Sequence, residues 1–497
     1  MVFSSLTFLL AFLTVTLVLY YISPKKLKNV IILISGLLFY AWGEPIYVLA
    51  MILSTFIDYT AGRIMHRFDD KPAVRRVCLI VSIVMNLGLL GIFKYSNFLI
   101  GSFNDWFGLE VTNPFVTAYN SLFGKLTGNI ESLPLPIGIS FFTFQSMSYT
   151  IDLYRRKIKV QKNAASFMAF VTLFPQIVAG PIVRYEDVQN EIDDRVITES
   201  MIAGGISRFI TGLGKKVLIA DNIGMLWTEV KAMEYTQLSA ATAWLGILAF
   251  TFQIYFDFSG YSDMAIGLGK MMGFNFPENF NYPYMSKSIS EFWRRWHMTL
   301  GEWFKSYVYF PLGGSKKGKA RTIINLLIVW TITGIWHGAA WNFMFWGAYF
   351  GILIVLEKLF LGKWLEKIPK FFSWLYTFVL VVIGWVLFDA VAAGTLRFGE
   401  VFTQTGTYIA AMFGANGAFA DKFAINAFVN YGIIFAVAIF GCTDSLKIII
   451  EKIKAKTSQM PWSLIQYGYP IAQGAVMLAS IAFITTSSYH PFLYFNF

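Results

Sequence analysis

The chain contains only four histidines, and two of them sit where an imidazole could do chemistry. His337 lies in VWTITGIWHGAAWNFMFW, a segment otherwise apolar enough for lipid. His297 lies in SEFWRRWHMTLGEWF, among arginines and tryptophans. Imidazole is the side chain best suited to pass a proton near neutral pH. An ionisable group at membrane depth costs roughly 2.5–3.5 kcal/mol or more, so its presence there argues for a function. His337, directly after Trp336, reads as a general base that deprotonates a hydroxyl nucleophile near the bilayer centre. The competing reading is a histidine in a short turn, bonded to backbone. For His297 the spacing predicts a helix over 288–309. Trp293, His297, Leu300 and Phe304 follow i, i+4, i+7, i+11 on one face, with Arg294, Arg295 and Lys305 on the flank. An interfacial amphipathic helix explains that pattern without catalysis. The alternative is a second imidazole that orients the substrate or binds its charge.

Other polar groups stand in apolar surroundings. YFDFSGYSDMAIG carries Asp257 and Asp263, which could bind a cation, relay a proton or pair with Arg294 or Arg295. Pairing is the favoured role. NFPENFNYPY, with Asn275, Asn279 and Asn281, must be irregular because Pro277 and Pro283 forbid a continuous helix. Its amides could bind a ligand or satisfy the broken backbone. Gln145, Ser148, Tyr149 and Asp152 follow i, i+3, i+4, i+7, a polar stripe that faces protein or a cavity rather than lipid. Trp336, Arg294, Arg295, Gln145, Ser148, Tyr149, Asp257, Asp263, Asn279 and Asn281 are therefore the supporting or substrate-binding candidates. No HExxH, nucleotide-binding glycine loop or cluster of metal ligands is present, so no metal is expected. His66, in a basic loop, and His490, in the tail, read as incidental. Cys78 and Cys442 read as two buried free thiols.

The elements that must position these residues cross a membrane. The chain has 497 residues and is 56% hydrophobic but only 14% charged, against about 25% charged in soluble proteins. Apolar runs recur at 2–22, 76–99, 237–256, 322–336 with 339–356, 371–388, 425–442 and 466–485, each near the length that spans roughly 30 Å of hydrocarbon. An all-α polytopic membrane protein follows. The first run lacks a basic leader and cleavage site, so it reads as a retained helix. The net charge of +11 gathers in short loops and is no nucleic-acid signal. Basic loops at 25–28, 63–76, 155–162, after a span at 136–154, and 316–321 are expected in the cytoplasm. The stretch 100–133, whose only Lys or Arg is Lys125, is expected outside. The middle, about 163–315, mixes apolar runs with Pro, Gly, Asp and Asn. Such backbone survives at membrane depth only when buried in protein or lining a wet cavity. No repeat relates the two halves, which counts against a transporter built from inverted repeats.

The stretches GLLFYAWGEPIYV, LPIGISFFTFQSMSYTIDLYR, LFPQIVAGPIVRY, FDFSGYSDMAIGLG, FPENFNYPY, SISEFWRRWHMTLGEWFKSYVYFPLGG, TGIWHGAAWNF and PFLYFNF together resemble the membrane-bound O-acyltransferase (MBOAT) family. Within it they are most similar to the bacterial alginate O-acetyltransferase (AlgI-like) branch, with the D-alanyl transferase DltB a more distant relative. The resemblance covers residues 1–497. It implies one integral membrane domain: N-terminal helices (1–162), a catalytic core (163–345) and C-terminal helices (346–497). It also implies roughly 10–13 membrane helices plus re-entrant or broken helices around a central funnel. By the same resemblance His337 is the catalytic histidine and His297 the second of a dyad.

The expected activity is O-acetyl transfer at the bacterial cytoplasmic membrane, with no bound cofactor. The donor substrate would be acetyl-CoA or an acyl-carrier thioester on the cytoplasmic side. The acceptor would be an exopolysaccharide, alginate-like or cellulose-like, reached through a periplasmic or extracellular acetyltransferase or a polysaccharide synthase complex. Membrane lipid surrounds the chain, and no nucleic acid is expected. Transfer of another small acyl group, such as D-alanine from a carrier protein, is the nearest alternative. A transporter, channel or export-complex scaffold is the alternative from another class.

Overall fold

The computed structural model describes residues 1–178, 180–391, 397–445, 448, 452, 462–486 and 492–493. Among them the regular structure is helical, with no strand. Among the described residues, eight helices are long and apolar enough to cross a membrane: Lys25–Gly43, Val48–Arg67, Pro72–Phe107, Ala240–Met271, Trp341–Leu365, Lys370–Asp389, Lys422–Gly441 and Gly468–Thr486. Hydrocarbon holds no water to satisfy backbone N–H and C=O groups, so helices that close their hydrogen bonds internally are the expected solution. The expected run at 2–22 is the shorter apolar helix Thr7–Ile22. The span expected at 136–154 is Ile139–Tyr154, of 16 residues. At 1.5 Å per residue that is about 24 Å, short of a full crossing, and nearly every side chain on it is buried. Residues 274–282 are irregular, as their prolines require. Besides the long helix Ala240–Met271, the centre of the chain carries short helices, including Ala164–Val171, Phe174–Ile177, Tyr185–Asp193, Ile289–Arg295 and Met298–Phe304.

The chain forms two compact units. The first comprises Met1–Ile206 with Ala265–Pro277. Its interior is tied by polar contacts that cost little when satisfied and much when broken. Asp58, fully buried in Val48–Arg67, accepts from Ser82 Oγ, Ser146 Oγ and, at 2.8 Å, Asn86 Nδ2. Ser54 Oγ donates in turn to Asn86 Oδ1 at 2.6 Å. Tyr20 donates to the Met272 carbonyl at 2.5 Å and accepts from Arg195 Nε at 2.7 Å, which joins the two stretches of this unit.

The second unit comprises Ser207–Met264 with Glu278–Phe497 and contains both candidate histidines. Its central feature is the pair Lys319–His337 and Trp341–Leu356, separated by an extended break at Gly338–Ala340. The pair packs backbone to backbone because two glycines face each other. A Cβ on Gly334 would lie 3.1 Å from Gly347 Cα and closer still to the Phe343 carbonyl oxygen, and one on Gly347 would meet the Trp330 carbonyl. Small residues at such crossings let membrane helices approach. Asn342 Nδ2 donates to the Phe388 carbonyl at 2.8 Å, fastening the second helix of the pair to Lys370–Asp389.

Candidate active site

His337 is the last residue of helix Lys319–His337. The helix stops there because Gly338 turns extended (φ −165°), and any Cβ on Gly338 would collide with the Phe343 ring. The His337 ring is 4% exposed and is boxed by aromatics. Its centroid lies 5.0 Å from Trp336, 4.8 Å from Trp346 and 5.6 Å from Phe388. A short turn bonded to backbone, the bland expectation, would not need this aromatic enclosure.

His297 does not sit on one continuous helix. The expected helix over 288–309 is broken into Ile289–Arg295 and Met298–Phe304, and His297 takes a left-handed conformation (φ 46°, ψ 53°) between them. The cause is tertiary. The irregular segment around Asn279–Asn281 lies along the break and replaces the helical bonds: Asn281 N donates to the Arg295 carbonyl at 2.9 Å, and Met298 N to the Asn279 carbonyl at 2.9 Å. The break turns His297 inward, to 2% exposed, against Phe258 at 4.7 Å between ring centroids. The interfacial, headgroup-facing reading of this histidine is therefore wrong. His297 lies outside the candidate membrane spans. Burial pushes its pKa down to about 3, so the ring is neutral at physiological pH.

The two imidazoles approach the same tryptophan. Trp336 lies 6.0 Å from His297 and 5.0 Å from His337, centroid to centroid. A cavity of about 310 Å³ opens on His297, lined mainly by Trp293, Trp296, Leu300, Phe304, Leu326 and Trp330, with Lys305 and Tyr309 in its wall. Val329 and Thr333 continue this lining along helix Lys319–His337. His337 is not part of the lining. It stands four residues beyond Thr333 on the same helical face, about 6 Å further along the axis. Trp293 Nε1, a hydrogen-bond donor of the cavity wall, is buried without a partner among the described residues. Sequence reasoning placed Trp293 on the His297 face but gave it no role. The only available signal was an indole among arginines, which an interfacial helix explains equally well.

The supporting candidates separate. Asn279 Oδ1 meets the His297 ring at Nδ1, 3.0 Å, and Asn279 Nδ2 donates to Ser262 Oγ at 3.0 Å. Asn281 contributes backbone to the break, and its carbonyl accepts from Arg295 Nη1 at 3.3 Å. Asp257 and Asp263 are paired, but not with Arg294 or Arg295 as expected. Asp257 bridges to Lys216 at 2.7 Å, and Asp263 to Arg208 and Lys215, both at 2.7 Å. Lys215 and Lys216 follow helix Glu199–Gly214 in a π-helical turn (Lys215–Ala220). They lie about 40–50 residues upstream of their partners, a distance at which sequence spacing carries no pairing signal. Arg295 pairs with Glu291 at 2.8 Å. Arg294 is exposed and lines a second cavity, about 560 Å³, with Lys287, Lys358 and Lys370 and the carboxylates of Glu291, Glu357 and Glu366. Glu357 is already engaged by Ile289 N, Ser290 N and Ser290 Oγ, at 2.6 to 2.8 Å.

Gln145, Ser148 and Tyr149 belong to the other unit. Ser148 Oγ donates to the Gln145 carbonyl at 2.6 Å, and Tyr149 accepts from Gln161 N at 3.1 Å, so both are absorbed in local structure. Gln145 is fully buried, with both amide atoms unpartnered among the described residues. No group of three or more His, Cys, Asp or Glu side chains that could hold a metal occurs among the described residues. Cys78 and Cys442 are buried free thiols. His490 lies outside the described residues.

The family model of the membrane-bound O-acyltransferases (MBOAT) matches residues 138–388, which include both histidines and the Asn279 segment. The chain is 37% identical to a probable alginate O-acetylase of Pseudomonas putida over the whole of both chains. It is 41% identical to the Pseudomonas aeruginosa protein of the same name, over 78% of this chain and 72% of that one. A peptidoglycan O-acetyltransferase of Helicobacter pylori is 32% identical over 100% of this chain and 98% of its own.

Proposed function

We propose, for a chain that belongs to the membrane-bound O-acyltransferase family and is a multi-pass protein of the bacterial membrane, that it moves an acetyl group from a cytoplasmic thioester to a hydroxyl on the far side, for O-acetylation of an extracellular polysaccharide. The names of the three relatives support acetyl as the group and a polysaccharide as its destination. The observation that carries the reading is the pair of buried imidazoles held at one tryptophan, one of them in the wall of an apolar cavity.

In this reading the donor is acetyl-CoA or an acylated carrier protein, and its thioester arm lies in the cavity beside His297. A dry apolar wall limits hydrolysis of the thioester. His337 is the general base. It takes the proton of the acceptor hydroxyl as that oxygen attacks the thioester carbonyl. The carbon–sulfur bond then breaks, and the thiolate leaves with that proton as a free thiol. A positioned base of this kind is worth roughly 10²–10⁴ in rate. His297 positions the reacting group from the cavity side, with Trp336 against both rings. Arg294, Lys287, Lys358 and Lys370 lie at a polar cavity suited to a phosphate-bearing donor. The basic loops at 316–321 and 358–370 support a cytoplasmic location for that mouth. An extracytoplasmic acetyltransferase or polysaccharide synthase completes delivery.

The test is direct. Purified protein in detergent receives acetyl-CoA labelled in the acetyl group, and in parallel an acetylated carrier protein, with a soluble polysaccharide fragment as acceptor and an extract of extracytoplasmic proteins to complete delivery. Release of free thiol with label moved to the acceptor is expected. Thiol release that is indifferent to loss of both histidines would remove the reading.

A further inference from the structure

Three donors converge on one atom beside His297. Asn279 Oδ1 accepts from Thr299 N at 3.3 Å and from Thr299 Oγ1 at 2.9 Å, and it lies 3.0 Å from His297 Nδ1. A backbone N–H can only donate, so the amide atom facing Thr299 N is the oxygen and not the nitrogen. The amide nitrogen, on the other side, is held by Ser262 Oγ at 3.0 Å. An amide oxygen can only accept. The ring nitrogen facing it must therefore carry the proton. Asn279 also grips the backbone at the same point, because its carbonyl accepts from Met298 N at 2.9 Å. That contact stabilises the left-handed His297, a conformation costly for a residue with a Cβ. The side chains of Asn279 and Ser262 are 1% and 2% exposed, so water does not compete for these bonds.

We infer that Asn279 is the positioning residue of the site: it locks His297 as the Nδ1–H tautomer, so that Nε2 is the proton-accepting nitrogen of this ring. The inference rests on the reading that His297 meets substrate in the cavity. It changes what the ring can do there. A neutral imidazole whose Nδ1–H is committed to Asn279 accepts at Nε2 and does not donate. The substrate group that meets His297 thus carries an O–H or N–H, as an acceptor hydroxyl or an amide of the donor arm does. Binding a negative charge on the substrate, one of the two roles expected from sequence, would need a protonated ring, which burial disfavours.

The tautomer can be read without any activity measurement. Protein grown with 15N-labelled histidine has four labelled rings, and the His297→Gln variant assigns the signal in magic-angle-spinning spectra. In neutral imidazole the bare and the protonated nitrogen resonate far apart. A bare Nε2 and protonated Nδ1 at pH 7 is expected, and a bare Nδ1 overturns the inference. Asn279→Ala should lower kcat roughly 10²-fold, the cost of about 1 Å of misplacement, with little change in donor KM. Asn279→Asp, which keeps an acceptor at the same place, should retain the Nδ1–H tautomer and recover most of that loss. If Asn279→Asp is as slow as Asn279→Ala while its spectrum is unchanged, the positioning role is overturned. Should Asn279→Ala fail to fold, Ser262→Ala releases only the amide nitrogen; Thr299 N–H still holds the amide oxygen toward the ring, so an unchanged Nδ1–H signal is expected and a bare Nδ1 overturns the inference. Full activity of His297→Ala would instead count against His297 meeting substrate, and the wild-type spectrum would still decide the tautomer.

Discussion

Replacing His337 by alanine separates chemistry from packing. The ring is 4% exposed among Trp336, Trp346 and Phe388, so truncation leaves a small aromatic-lined void. A void of that size costs about 1–3 kcal/mol of stability, visible as a few degrees in a melting curve. The lost general base costs more in rate: roughly 10²–10⁴, or about 2.7–5.4 kcal/mol on the barrier at 1.36 kcal/mol per decade. Binding of the donor should barely change, because the cavity lining ends at Thr333, one helical turn before His337. The expected pattern is therefore a fall in kcat of at least about a hundredfold, a donor KM within about threefold, and a folded protein. His337→Gln, which refills the void without a base, should melt closer to wild type and stay as slow. Turnover of labelled acetyl-CoA in detergent, beside a thermal melt of the same sample, measures all three quantities. Retention of more than about a tenth of wild-type kcat would refute the assignment, since the smallest expected effect is about tenfold larger.

Other perturbations test the frame around the site. Gly334→Val inserts a branched side chain where even a Cβ meets the Phe343 carbonyl and Gly347; it should destabilise by about 1–3 kcal/mol and cut turnover, whereas Gly432→Ala, in open space, should change neither. Asp58→Ala removes the acceptor shared by Ser82, Asn86 and Ser146. A loss of about 3–5 kcal/mol is expected, seen as a lowered detergent melting temperature, and a melt equal to wild type would contradict the buried network. A cysteine at Lys157, with the buried Cys78 and Cys442 replaced, should resist an impermeant thiol reagent in intact cells and react after permeabilisation. Labelling from outside would reverse the assigned orientation.

The sequence alone carried the membrane, the family and the two histidines. Hydrophobicity is a summed, local property, so runs such as 371–388 and 425–442 reappear as Lys370–Asp389 and Lys422–Gly441. Pro277 and Pro283 forbid helix by covalent geometry, and 274–282 is irregular. A lone imidazole after Trp336 in apolar surroundings is unusual enough to be noticed in one dimension. What sequence could not supply were contacts set by folding. Periodicity predicted one helix through His297, because every residue from 288 to 309 tolerates helix. The break exists because Asn279 and Asn281, some 16 residues away, offer its backbone better partners than the next turn does. Charge alone suggested Arg294 or Arg295 for Asp257 and Asp263. Lys216, Arg208 and Lys215 hold them instead, since the strength of a buried pair depends on distance and enclosure, which only three dimensions define. The tautomer of His297 belongs to the same class. It follows from an obligate donor at Thr299 and an amide oxygen at Asn279, two groups that the chain brings to one point only when it has folded.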